Sequence, residues 1–342
     1  MPVRLNEPVT SSPRRVGWGI VSTGHIASVF AGDLALLSAE AELVAVSSRE
    51  PGRARRFADT HGAAASYGSV EELAADDRVE VVYVASVHNA HRDAALTCLT
   101  AGKAVLVEKP LAVTAAEGEE LIDAAGEHRR FLMEAVWTRT NPLIRRAVEL
   151  VRAGTIGAVR HLDACFGFAF DGSPSHRLLD PAQAGGAILD LGVYPVHGAD
   201  LFLGEPGGLA GSGSRGRTGV DTHAAALLSF PAAADRPAAT AAITCSLETD
   251  LPTRLEVFGT KGRLVMDNFI RPEELLVFRG RGPGVEPEVL VTSIPGAGYT
   301  FEAQEVMRCL RAGTLESPLV PWASTLAALR TLDRWRAAVG AG

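Results

Sequence analysis

Along the first 130 or so positions, short apolar runs alternate with stretches of helical period. Residues 14–21 (RRVGWGIV), 42–48 (ELVAVSS), 79–86 (VEVVYVAS) and 103–110 (KAVLVEKP) are compact apolar blocks bounded by turn formers, the mark of buried strands. Residues 130–137 (RFLMEAVW) close the series, and 63–66 form a weaker candidate. Helical patterns fill 25–37, 51–62, 91–102 and 115–126, with Gly102 placed as a C-cap. This order predicts a mostly parallel sheet covered on both faces.

The second half has a different rhythm. Residues 141–154 (NPLIRRAVELVRAG) read as a helix, with Pro142 near its start and Gly154 past its end. Residues 156–170 partly alternate apolar with polar. Further strands are predicted at 222–230, 241–249, 253–260, 262–267 and 274–280, joined by short turns. That is the signature of a large, mostly antiparallel sheet. The segments 204–219 (GEPGGLAGSGSRGRTG) and 231–237 (PAAADRP) read as loops, and 321–339 as a closing helix. The predicted organisation is a tail at 1–13, an α/β domain at 14–134 and an α+β domain at 135–342.

Composition narrows the class. The 342 residues are 47% hydrophobic and 21% charged, with a formal net charge of −7. This composition fits a globular protein and argues against a generally basic nucleic-acid surface. Cys98, Cys165, Cys245 and Cys309 are scattered, which fits buried thiols in a reducing compartment better than a disulfide scaffold or zinc knuckle. The first residues lack a signal-peptide core, and no run reaches the roughly 18 apolar residues of a membrane span. The expectation is a cytoplasmic protein without membrane or nucleic-acid partners.

The first βα turn carries candidate chemistry. Ser22, Thr23, Gly24, His25, Ile26 and Ala27 lie in register with the dinucleotide fingerprint G-x-G-x-x-G/A. Gly24 would admit a pyrophosphate, and the helix start would supply amides. Ser22 replaces the first glycine, which a turn tolerates where no positive φ is needed. At the tip of the second strand, Ser48, Arg49 and Arg53 stand where NAD sites place a carboxylate. Cations there suit the 2′-phosphate, so NADP is favoured over NAD, although Glu50 partly opposes it.

Glu108, Lys109 and Pro110 end another strand, at the sheet edge where such folds bind ligands. The chain has three lysines, so the choice of lysine over arginine at 109 suggests a need for a compact ammonium. Glu108 reads as an orienter of its neighbour. Residues 185–200 (GGAILDLGVYPVHGAD), read as a helix, put Asp190 and Tyr194 on one face, with His197 nearby and a bend at Pro195. Ser86, His88, Asn89 and His91 follow a strand end and border a nicotinamide site. The two histidines lack companions for a convincing metal site. Trp137 and Arg139 either edge a substrate pocket or pack at a junction.

With GIVSTGHIA, AVSSR, HNAHRDAAL, VEKPLAVT, EAVWTR, GGAILDLGVYPVH and LEVFGTKG in this order, the chain resembles the Gfo/Idh/MocA oxidoreductases from about residue 15 onward. Its pattern is nearest the branch holding dimeric dihydrodiol dehydrogenases and NADP-dependent D-xylose 1-dehydrogenases. The resemblance implies a Rossmann domain followed by an open-sheet domain that mediates homodimer or higher assembly. It also implies a cis Lys109–Pro110 bond, a substrate-contacting Lys109, and Asn89 or His91 as a positioning group. Tyr194 stands where many members have histidine. In this reading Tyr194 is the acid/base, Lys109 stabilises its phenolate, and Asp190 orients Lys109 or a substrate hydroxyl. His197 is a second proton-transfer candidate.

The function that follows is NADP-dependent hydride transfer to or from the CH–OH or C=O group of a small sugar or diol. Keto-sugar reduction and inositol-type oxidation use the same parts. A non-catalytic NADP-sensing regulator would keep the turn without needing Lys109 and Tyr194, and a purely structural module would need none of these groups.

Overall fold

The computed structural model describes residues 3–4, 14–234 and 236–341. Most of the expected N-terminal tail lies outside the described residues. Within it, Val3–Arg4 (β1) pairs parallel with a strand at 288–291, so these two residues extend a sheet. The chain divides into two compact units, one of 8–137 with 294–325, the other of 1–7, 138–293 and 326–342.

The first unit is built on strands Val16–Val21 (β2), Ala41–Ser47 (β3), Ala65–Tyr67 (β4), Val81–Val84 (β5), Ala104–Glu108 (β6) and Leu132–Ala135 (β7). All pairings are parallel, in the order β4-β3-β2-β5-β6-β7. Every residue of β2 and β5 is buried, which explains their uninterrupted apolar character. Helices His25–Ala35 (α1), Pro51–His61 (α2), Val70–Ala74 (α3), His91–Thr100 (α4) and Ala115–Glu127 (α5) connect the strands. The order reverses between β2 and β5, which places the ligand crevice of such a sheet at their C-terminal ends.

In the second unit, the short helix Trp137–Thr140 (α6), which begins on the last residue of the first, precedes Pro142–Arg152 (α7). Strand Val159–Gly167 (β8) follows, then a long connection to helix Val193–Leu203 (α8). The remaining strands are Gly208–Arg215 (β9), Asp221–Phe230 (β10), Ala239–Ser246 (β11), Leu251–Gly259 (β12), Arg263–Asp267 (β13), Glu274–Phe278 (β14) and Glu288–Val291 (β15). They form a nine-stranded sheet, β1-β15-β14-β13-β12-β8-β11-β10-β9. It is antiparallel except at β1–β15 and β8–β11. Ala224, Ala226, Leu228 and Phe230 of β10 are buried while Ala225, Leu227 and Ser229 are exposed, so one face of the strand is covered and the other open.

Three expectations need correction. The Gly-rich segment at 204–219 contains β9, paired along β10. Its glycines serve packing: a Cβ on Gly211 would come 3.1 Å from the Trp335 ring. Helix Thr300–Ala312 (α9) was not foreseen, although Ala303, Val306, Met307 and Leu310 carry helical spacing. Residues 294–325 also join the first unit rather than the domain expected at 135–342. The Asp33 carboxylate on α1 accepts the Ala297 and Tyr299 amides, each at 2.8 Å, and Arg311 pairs with Glu40 at 2.7 Å. The last helix runs Trp322–Ala338 (α10). Among the described residues no helix is long and apolar enough to cross a membrane.

Candidate active site

In the first unit, Ser22 follows β2 with φ of +94°, contrary to the expectation that a serine here avoids positive φ. Two bonds hold it there: its amide donates to Ser47 O at 3.0 Å, and its Oγ accepts the Gly24 amide at 3.3 Å. Gly24 is the N-cap of α1 at φ −76°, and neither a capping side chain nor a first-turn acid occupies the helix start. A Cβ on Gly24 would meet nothing nearer than Ser22 Oγ at 3.6 Å. Neither backbone conformation nor protein packing therefore requires glycine here, and the open space beside amide donors fits a pyrophosphate. Thr23 and Ile26 are partly buried and His25 is exposed.

The tip of β3 carries Ser48 and Arg49 and no carboxylate. Ser48 Oγ accepts the Glu50 amide at 3.3 Å. Arg53 lies 3.7 Å from Glu50, an exposed and weak pair, while Arg49 is exposed. This donor set fits a 2′-phosphate.

At the ends of β5 and β6 the Lys109–Pro110 peptide is cis. Lys109 is partly buried, and its amide donates to Glu108 Oε2 at 3.1 Å. Tyr83 donates its hydroxyl to Glu108 Oε1. Glu108 therefore orients the lysine's backbone. His91 is fully buried, with Nδ1 2.9 Å from Pro110 O and Nε2 3.1 Å from Ser86 O. Burial pulls its pKa down to about 4, so the ring is neutral. Both nitrogens face main-chain carbonyls, and the neutral ring, with a single N–H, donates to one of them. His88 is buried and Asn89 exposed. Trp137 packs its ring 4.9 Å from Tyr299, within the first unit.

Sequence reasoning missed Glu302 on α9. It is fully buried, and neither carboxylate oxygen has a hydrogen-bond partner. Burial, then the charges of Glu108 and Asp33, push its pKa well up, which favours the protonated form.

In the second unit, residues Ile188–Gly192 form a π-helical turn before α8, where an ordinary helix was expected. Pro195 falls in the first turn of α8, and the wider i→i+5 turn before it alters the simple four-residue stacking of Asp190 and Tyr194. Asp221, at the start of β10, accepts the Ile188 amide at 2.6 Å and anchors this turn. Asp190 is buried and receives Arg177 Nη1 at 3.0 Å, a partner the sequence did not reveal. Tyr194 is 7% exposed, its ring edge-on to Phe166 at 5.8 Å. The aromatic contacts continue through Phe168 and Phe170 to His176.

Arg139 and His197 are not placed as substrate ligands. Arg139 Nη1 lies 2.9 Å from Asp200 and 3.1 Å from His197 Nδ1, and all three side chains are buried. A buried guanidinium needs such partners, which ties α6 to α8.

Residues 16–136 match the oxidoreductase family with NAD-binding Rossmann fold, and residues 144–265 match the GFO/IDH/MocA C-terminal domain. The chain belongs to the Gfo/Idh/MocA oxidoreductase family. Among Gfo/Idh/MocA relatives, mouse trans-1,2-dihydrobenzene-1,2-diol dehydrogenase is 40% identical over 94% of this chain and 96% of its own. An aldose–aldose oxidoreductase from Caulobacter crescentus, solved with glycerol, is 26% identical with TM-score 0.84, covering 96% of this chain and 98% of that one. A 3-ketoreductase from Actinomadura kijaniata, solved with NADP, is 26% identical with TM-score 0.78, covering 95% and 98%. A levoglucosan dehydrogenase solved with NADH shares the fold at 18% identity and TM-score 0.85, over 96% and 97%. The family's two-part organisation accounts for the parallel sheet with its amide-rich turn and for the broad mixed sheet.

Proposed function

We propose that the protein is a cytoplasmic, NADP-dependent dehydrogenase or reductase acting on a CH–OH or C=O group of a small diol or sugar. The carrying observation is the first unit's combination of an uncapped helix start at Gly24 with Lys109, held on a cis peptide at the sheet's C-terminal edge. Relatives named as diol dehydrogenases support the reaction class. Ser48 and Arg49, and the 3-ketoreductase's NADP, support the cofactor. The aromatic run from Tyr194 to His176 suits a substrate with an apolar ring face. Keto-sugar reduction, the activity in that 3-ketoreductase's name, is the second reading.

NADP, when bound, supplies the hydride acceptor or donor. The amides at Gly24–Ile26 would hold its pyrophosphate, and Ser48, Arg49 and Arg53 its 2′-phosphate. Tyr194 takes the substrate's hydroxyl proton in oxidation and returns one in reduction. A free phenol titrates near pH 10, so proton transfer near neutral pH calls for a cation that favours the phenolate. Arg177 donates a hydrogen bond to the buried Asp190, which suits Asp190 to orienting rather than to acting as the base.

Product identification after NADP- and NAD-linked assays on diol, aldose and keto-sugar panels tests the reading. Tyr194→Phe should lower kcat at least about 100-fold with little change in NADP affinity. Unchanged turnover removes Tyr194 from the role, and equal or better kcat/KM with NAD removes the NADP preference. We also propose a homodimer or higher oligomer through the open sheet face, where Leu227 is 52% exposed. Leu227→Asp should shift the mass by light scattering toward the monomer, and a monomeric wild type would overturn the assembly.

A further inference from the structure

The two glycines opening the 185–200 segment bring a cation to Asp190. Gly186 has φ of +131°, and a Cβ on Gly185 would lie 2.5 Å from Arg177 O and 2.8 Å from Leu178 O. The Gly186 amide donates to Leu178 O at 2.9 Å, and the Gly185 amide to Asp180 O at 3.0 Å. The 177–180 stretch is thus fastened beside the start of the π turn. From it, Arg177 reaches the buried Asp190 while its own side chain stays 42% exposed. A guanidinium has five N–H donors, and the hydrogen bond to Asp190 uses one of them. Asp190 holds the group at Nη1 while the side chain keeps a substantial exposed share. The residue before it, His176, ends the aromatic run that begins at Tyr194, with its ring 4.6 Å from Phe170.

We propose that Arg177 is a specificity residue that donates a hydrogen bond to the second hydroxyl of a vicinal diol, beside the carbon being oxidised. This rests on the dehydrogenase reading above. Tethering to Asp190 removes much of the rotamer freedom that an arginine loses on binding, so its remaining donors are pre-positioned for an oxygen. A site that hydrogen-bonds a hydroxyl rejects the analogue lacking it far more strongly than an apolar pocket can.

The test compares the wild type, Arg177→Met and Arg177→Lys on two alcohols of the same ring, a cyclic vicinal diol and its mono-hydroxy counterpart. Loss of one charge-assisted hydrogen bond should lower kcat/KM of Arg177→Met for the diol by about 10- to 100-fold, mostly through KM. The mono-alcohol reports the loss of the tether on Asp190 alone, so its kcat/KM should fall at least about tenfold less than that of the diol, and Arg177→Lys should recover part of the loss on the diol. NADP affinity, measured by fluorescence, should not move. If Arg177→Met does not fold, Arg177→Gln, which keeps an amide donor toward Asp190, is scored on the same two alcohols. An equal fall on both alcohols would mean that Arg177 acts only by holding Asp190, and no change on either would mean that it meets no substrate; both overturn the proposal. A wild type that oxidises no diol or sugar overturns the dehydrogenase reading itself, and this assignment with it.

Discussion

Asp221 Oδ2 lies 2.6 Å from the amide of Ile188, so a carboxylate on the first residue of β10 caps the π turn that carries Asp190. Burial pushes the Asp221 pKa up, while the amides of Ile188, Asp221 itself and Ala187 favour its ionised form. Asp221→Ala leaves that amide without its acceptor inside the protein. The expected cost is about 1–3 kcal/mol in thermal or urea unfolding. kcat should fall further than the decrease in folded protein explains, with NADP affinity preserved. Wild-type stability in the variant would show that the turn does not depend on this cap.

The turn after β2 supports two opposite expectations. Ser22→Gly removes a side chain from φ +94° at the loss of one 3.3 Å hydrogen bond, and should raise stability by about 1 kcal/mol. Gly24→Ala should leave stability within about 0.5 kcal/mol, because no protein atom crowds the added methyl, yet weaken NADP binding at least about tenfold. Calorimetry and a cofactor titration check both, and unchanged affinity in Gly24→Ala would move the pyrophosphate elsewhere.

Cofactor choice is expected to reside in Arg49. Arg49→Ala should raise KM for NADP about 5- to 30-fold and leave KM for NAD nearly unchanged, as loss of a charge-assisted phosphate contact does. Adding Ser48→Asp should reverse the preference by offering a carboxylate to a ribose hydroxyl. Equal effects on the two cofactors would place the 2′-phosphate on other residues.

Glu302 makes stability depend on pH in a defined direction. Its folded pKa is raised above the ordinary value of 4.5. Its stabilising contribution is therefore complete below about pH 4.5 and is lost as pH rises toward the folded pKa. Glu302→Gln keeps a neutral side chain of the same shape. The wild type should lose more melting temperature than Glu302→Gln between pH 5 and pH 9. Parallel curves would mean that Glu302 finds a partner for its charge.

How much could be read in advance depended on the range of the interactions. The strands of the first unit, the β2–α1 turn and the Glu108-Lys109-Pro110 edge were legible because each is written in neighbouring residues. The segment from Gly185 to Asp200 was legible as a helix, but its π turn was not, because that turn is anchored from Asp221 on another strand. The strand at 208–215 looked like a loop, since glycine signals flexibility locally and close packing only when Trp335 is seen beside it. Helix α9 carried a readable apolar spacing, but its docking depends on Asp33, far back in the chain.

Taken alone, the amino-acid order specified two sheet-based units, a dinucleotide turn and the residue types for hydride chemistry, since period, turn chemistry and motif spacing act over a few positions. Only the tertiary structure decided which polar side chains are occupied. It turned His91 onto Ser86 and Pro110, joined Arg139 to His197 and Asp200, and gave Asp190 to Arg177. The physical reason is that a buried polar group must find its partner wherever packing brings one, and sequence distance carries no record of that meeting.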